Sequence, residues 1–163
     1  DKLQVANRTI LADLQPMCLG QVPLDELLGG LGVTIRRTAP DLALTFDLEL
    51  PGRSYGERVD LTVYRSIQES VLNAVKHGRA SSVRVAVVDR AGLLLTVTVE
   101  DDGSGLRPGA PPGYGLAGMR DRIHAIGGSL DIADLAGGGT RVRARIPLEP
   151  GPPLGRSAGG GER

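Results

Sequence analysis

The sequence predicts an α/β fold, a two-layer sandwich with helices on one face of a mixed β-sheet. Three observations carry that expectation. Residues 42–50 alternate, with Leu42, Leu44, Phe46, Leu48 and Leu50 on one side, as in a strand with one buried face. Residues 57–77 set Leu61, Tyr64, Ile67, Val71, Leu72 and Val75 at helical spacing, the inward stripe of the longest helix. Beyond it come two β-rich runs, a helix and two more β-rich runs, an order that one sheet can absorb.

In chain order, residues 1–15 read as a helix with Leu3, Ala6, Ile10, Leu11 and Leu14 inward and Pro16 as its stop. Residues 16–23 are a linker, and residues 24–35 a second helix weakened by its glycines. Gly78 caps the long helix. Strands 82–88 and 93–99 turn at residues 89–92. A Pro/Gly loop leads into a helix over 116–126, capped by Gly127 and Gly128, and strands 129–135 and 140–148 close the domain. Residues 149–163 are Pro, Gly and polar residues, read as a disordered tail.

Composition removes several function classes. The 163 residues carry 19 basic and 19 acidic side chains, so no net field draws in nucleic acid or an anionic membrane. Aromatics make up 2%, too few for a base-stacking platform. Neither a nucleic-acid partner nor direct membrane contact is expected. Cys18 is the only cysteine, which excludes an intrachain disulfide and a cysteine zinc site. With no signal peptide and no apolar run of membrane-spanning length, the reading is a cytoplasmic domain. The chain opens at Asp1 rather than Met and reads as part of a longer protein, which the sequence leaves free to be membrane-anchored.

Four motifs carry chemistry. Strand 93–99 runs into Asp101, Gly103 and Gly105, a D-x-G-x-G. One carboxylate at the lip of a core can accept a ligand's amino N–H, while the glycines admit a flat ring against the backbone. An Asp/Gly turn is the plainer reading of that stretch. On the long helix, Glu69, Asn73, Lys76 and His77 fall on one polar stripe. Asn73 offers a neutral oxygen to Mg²⁺, Lys76 a point charge to phosphate, and Glu69 a base or an orienter of metal-bound water. His77 reads equally as a ligand contact and as a helix-end cation favoured by the dipole. Gly113, Tyr114, Gly115, Leu116 and Gly118 satisfy G-x-G-x-x-G, yet Arg107–Pro112 cannot be the buried strand that a dinucleotide site needs. A glycine loop offering N–H groups to phosphates at a helix start fits better. Gly137–Gly139 and Thr140 make a G-G-G-T, a hairpin turn whose hydroxyl can share a site with Asp101.

Taken in this order, the four motifs resemble the N, G1 and G2 boxes and the G-G-T of the GHKL ATPases (gyrase, Hsp90, MutL, histidine kinases), which share the Bergerat fold. Residues 115–122, followed by Gly127 and Gly128, are most similar to sensor histidine kinases partnered with NarL-type response regulators. The resemblance covers residues 24–148. It implies a Bergerat-type ATP-binding catalytic domain using ATP and Mg²⁺, with Asp101 on the adenine amino group, Asn73 on Mg²⁺, and Lys76 and His77 at phosphate. Glu69 stands where relatives that hydrolyse ATP keep their catalytic base, and residues 107–118 at an ATP lid that is mobile without ligand. Residues 1–15 become the end of a dimerisation hairpin whose phosphoacceptor histidine lies elsewhere. The partners implied are that dimerisation domain in a homodimer and a cognate response regulator. Asp102 departs from the Asn common in the family. An anti-sigma factor-type serine kinase and a non-catalytic ATP-sensing module are the alternatives on the same fold.

Overall fold

Alternation and helical period decide which face of each element is buried, and the buried faces meet in one core. The structure, a computed structural model, describes residues 19–106 and 114–149. The expected helix over 1–15, the tail beyond 149, and most of the lid lie outside these residues.

Helix α1 (Leu24–Thr38) buries Leu24, Leu28, Leu31, Gly32 and Ile35, and its Gly29 and Gly30 face open space. It outlasts the expected end at residue 35. Acids in its first turn and Arg36 and Arg37 in its last both suit the helix dipole, and Arg36 Nη2 donates to the Leu44 carbonyl at 3.1 Å. Strand β1 (Ala43–Glu49) follows, then α2 (Glu57–Asn73), β2 (Ser82–Arg90), β3 (Leu94–Asp101), α3 (Tyr114–His124), β4 (Ser129–Asp134) and β5 (Thr140–Pro147).

The five strands form one sheet in the order β1-β2-β3-β5-β4. Only β1 and β2 run parallel, joined through α2, and the other neighbours are antiparallel. One side of the sheet presents Val83, Val85, Val87, Leu95, Val97, Val99, Val142, Ala144 and Ile146 to a core shared with Leu28, Ile67, Met119 and Ile123 of the helices. The other side carries no helix among the described residues. The expected two-layer mixed-sheet sandwich is the observed architecture.

Helix α2 differs from its expected apolar stripe. Leu61 and Leu72 are only half-buried, whereas Val63, Thr62, Ser66 and Ser70 join Tyr64, Ile67 and Val71 inside. Polar residues can stand there because Thr62, Ser66 and Ser70 each donate their hydroxyl to the carbonyl four residues back, at 2.7 Å. With those hydroxyls satisfied, the helix is buried over a wider arc than its apolar residues alone indicate.

Asp60 is buried on the same helix. Burial pushes its carboxyl up from the usual aspartate range, while bonds from Ser54 Oγ (2.5 Å), the Tyr55 N–H (3.0 Å) and the Gly20 backbone pull it down. Those bonds tie the segment before α2, and the chain before α1, to the core. Asp60→Ala leaves the Ser54 and Tyr55 donors without their acceptor and is expected to lower folding stability by about 1–3 kcal/mol. Urea unfolding measures it, and an unchanged midpoint and slope would remove this tie from the account.

Candidate functional site

Asp101 ends β3 on the helix-facing side, in phase with buried Leu95, Val97 and Val99. The side chain is half-buried. Its Oδ1 accepts the Gly103 N–H at 2.8 Å, and its Oδ2 has no hydrogen bond among the described residues.

Helix α2 ends beside it. Asn73 is the last α-helical residue, and Ala74–Gly78 form a π turn, with the Ala80 N–H donating to the Ala74 carbonyl at 3.0 Å. Such widened turns gather at functional sites. Two expectations are corrected here. Gly78 is not the left-handed cap; the inserted width moves that role to Arg79, at φ 50. The polar stripe also does not continue at α-helical spacing, because Lys76 and His77 stand in the π turn rather than in α-helix. Asn73 and Lys76 are half-buried and His77 is exposed.

The wide turn brings Gly78 against the chain leaving β3. The Ser104 N–H donates to the Gly78 carbonyl at 2.9 Å. A Cβ on Gly103 would stand 2.6 Å from that same oxygen and 2.9 Å from Asp101 Oδ1, so only glycine fits. From the other side comes the β4–β5 turn, where a Cβ on Gly139 (φ 97) would overlap the Asp101 carbonyl. Thr140 lies one step past the paired residues Glu100 and Arg141, on the side of β5 that buries Val142. It is therefore Asp101's neighbour across the sheet. Asp101, Gly103, Thr140 and the end of α2 converge.

Two contacts extend this cluster. Asp134 Oδ1 accepts the Leu106 N–H at 2.6 Å and would stand 2.7 Å from a Cβ on Gly105, fixing the chain where it departs for residues 107–113. Asp134 was not among the expected site residues. Its signal in the sequence is an acid in phase with Leu130 and Ile132. Glu69, on the last full turns of α2, lies against the start of α3, where a Cβ on Gly115 would overlap its carboxylate. Leu116 packs against the core. Gly113 and the Tyr114 side chain lie outside the described residues. No three His, Cys, Asp or Glu among the described residues group as a metal cage, and no described helix is long and apolar enough to cross a membrane.

Residues 59–150 match the family described as histidine kinase-, DNA gyrase B- and HSP90-like ATPases. The chain belongs to this family. It is 40% identical over 134 residues to the methanol utilization control sensor protein MoxY of Paracoccus denitrificans, a match covering 77% of the chain and 30% of that protein. To the signal transduction histidine-protein kinase/phosphatase UhpB of Salmonella typhimurium it is 34% identical over 143 residues, 87% of the chain and 28% of that protein. The chain thus spans under a third of these curated relatives. Its fold superimposes on the histidine kinase domain of an Erythrobacter litoralis blue-light activated histidine kinase with a TM-score of 0.68 at 22% identity, covering 90% of this chain and 73% of that one. The ATP binding domain of PrrB from Mycobacterium tuberculosis aligns with a TM-score of 0.60 at 26% identity, covering 79% of this chain and 96% of that one.

Asp102, where the resemblance leads one to expect Asn, turns away from Asp101 to the surface. Its carboxylate accepts the Ser81 hydroxyl (2.6 Å) and the Ser81 and Ser82 N–H groups (2.8 Å each), anchoring the first residues of β2. The Ser81 hydroxyl, then the Ser82 N–H, hold its pKa below the usual aspartate range. A carboxyl lowered in the folded state stabilises above its unfolded pKa of about 4 and loses that contribution as pH falls through the folded value. Acid unfolding followed by circular dichroism should therefore be less steep below about pH 4 in Asp102→Asn than in the wild type. Superimposable acid limbs would contradict the anchor.

Proposed function

We propose that residues 24–148 are the ATP-binding catalytic domain of a two-component sensor histidine kinase. The observation that supports it most is the Asp101 carboxylate: half-buried, one oxygen fixed by Gly103, the other open. A fixed acceptor at a sheet end, with glycine backbones around it, suits the exocyclic amino group of adenine. Thr140 beside it supplies a hydroxyl to the same ring edge.

Asn73 holds Mg²⁺ in this reading. The donor set fits that ion, since Mg²⁺ keeps several waters and is bound by one or two protein oxygens together with phosphate, not by an all-protein cage. When bound, Mg²⁺ supplies charge neutralisation on the phosphate oxygens. Lys76 meets phosphate as a point charge, and exposed His77 lies at the rim with it. Residues 107–118 form the lid, with Gly113 and Gly115 lending N–H groups to phosphate, and Tyr114 and Leu116 framing that loop. Glu69 is the catalytic acid–base residue in this reading, and its carboxylate lies against Gly115 at the start of α3.

The domain works by positioning and by charge neutralisation, as phosphoryl transfer generally requires. The γ-phosphoryl passes to a histidine on the dimerisation hairpin of the homodimer and then to an aspartate of a response regulator. The sensor-kinase relatives support that destination, and this domain works on the cytoplasmic side.

Asp101→Asn replaces an acceptor with a group that also presents N–H, and should weaken ATP binding by about 1–3 kcal/mol in titration calorimetry. Unchanged affinity would refute the adenine assignment. Asn73→Ala should abolish the Mg²⁺-dependent part of ATP affinity while adenosine binds as before; equal losses for both ligands would refute the metal assignment.

A further inference from the structure

The side of the sheet away from the helices is a trough of about 440 Å³. Its register can be read row by row. Arg143 faces Thr98, which faces Ala86, and Arg145 faces Thr96, which faces Val88. Small residues of β2 and β3 therefore make a floor. Arg143 and Arg145 rise from β5 on one side, and Arg84 and Arg90 from β2 on the other. Two strand spacings separate those walls, about 10 Å, the width of one polypeptide segment.

The charge there is lopsided. Four arginines and a single glutamate, Glu100, line the trough, with Asp131 of β4 opposite Arg143 just beyond it, in a chain whose 19 basic and 19 acidic residues cancel overall. Asp47 engages Arg84 at 3.1 Å across an exposed edge. Arg90, Arg143 and Arg145 make no ion pair or hydrogen bond among the described residues. The Nε atoms of Arg141 and Arg143 are shielded from solvent and make no hydrogen bond among the described residues. A guanidinium is a preformed fork for carboxylate, and a shielded donor without an acceptor is unfavourable.

We propose that this open sheet face is a docking surface for an acidic segment of a partner protein, its Asp or Glu carboxylates paired with Arg143 and Arg145 over the threonine floor. The surface lies across the sheet from Asp101 and is independent of the nucleotide assignment. Nucleotide affinity therefore reports the integrity of the fold separately.

The test uses a fluorescein-labelled peptide of alternating Glu and Ala, with a Gln-for-Glu peptide as control, at low ionic strength. Fluorescence anisotropy should show binding of the Glu peptide alone, weakened by salt. Amide shifts in ¹⁵N spectra should centre on Ala86, Thr96, Thr98 and Arg143. The pair Arg143→Gln and Arg145→Gln should lower affinity at least about fivefold, as expected for two ion pairs lost, with circular dichroism and ATP affinity unchanged. Should that pair unfold the domain, Arg84→Gln with Arg90→Gln on the opposite wall gives the same readout. The proposal is overturned by absence of binding, by shifts centred on another face, by equal affinity of the variants, or by tighter binding of a DNA oligonucleotide of equal charge to this face.

Discussion

Backbone meets backbone at the end of β3, and much of the site follows from that contact. The Gly78 carbonyl, the Gly103 backbone and the Gly139 backbone approach the Asp101 segment so closely that a Cβ at Gly103 or Gly139 would collide with main-chain atoms. The approach needs α2 to finish in a π turn, which carries Gly78 far enough to accept the Ser104 N–H. It also needs the β4–β5 turn to fold across the same strand end. Asp101 is thereby gripped on one oxygen, while the other has no hydrogen bond among the described residues. A helix, a strand and a hairpin are fastened together beside Asp101, the residue proposed to recognise the purine.

The sheet divides its labour by parity. Residues in phase with Val97 build the core and then, at the strand end, Asp101. Residues in phase with Thr98 build the open face with its arginine walls. A shift of one residue in register would exchange the two sets, so the apolar alternation that secures the core also sets which face carries the carboxylate and which the guanidinium groups.

Much of this was legible before any coordinates. Alternation in residues 42–50 and in the later strands marks the sheet, since a half-buried strand has to alternate. The spacing of the glycine and acid boxes marks the strand ends. What could not be read depends on contacts between residues distant in sequence. The π turn is indistinguishable from α-helix by period alone, and only the docking of Gly78 on Ser104 reveals why the last turn widens. Burial of Thr62, Ser66 and Ser70 defeats a purely apolar criterion, because their hydroxyls are satisfied within the helix. Asp60 and Asp134 share with Asp101 a subtler signal, an acid at a position whose phase is apolar. In each case the carboxylate accepts backbone N–H groups from a neighbouring loop, a role that phase suggests and only the fold identifies.

The central claim is that Asp101 and Asn73 hold opposite ends of one adenine nucleotide. A crystal structure with Mg²⁺ and a non-hydrolysable ATP analogue tests it directly. The account predicts the adenine amino nitrogen within about 3 Å of Asp101 Oδ2, and the metal on the carboxamide oxygen of Asn73 within the same cleft. An adenine ring seated away from Asp101, or a metal held without Asn73, would contradict it.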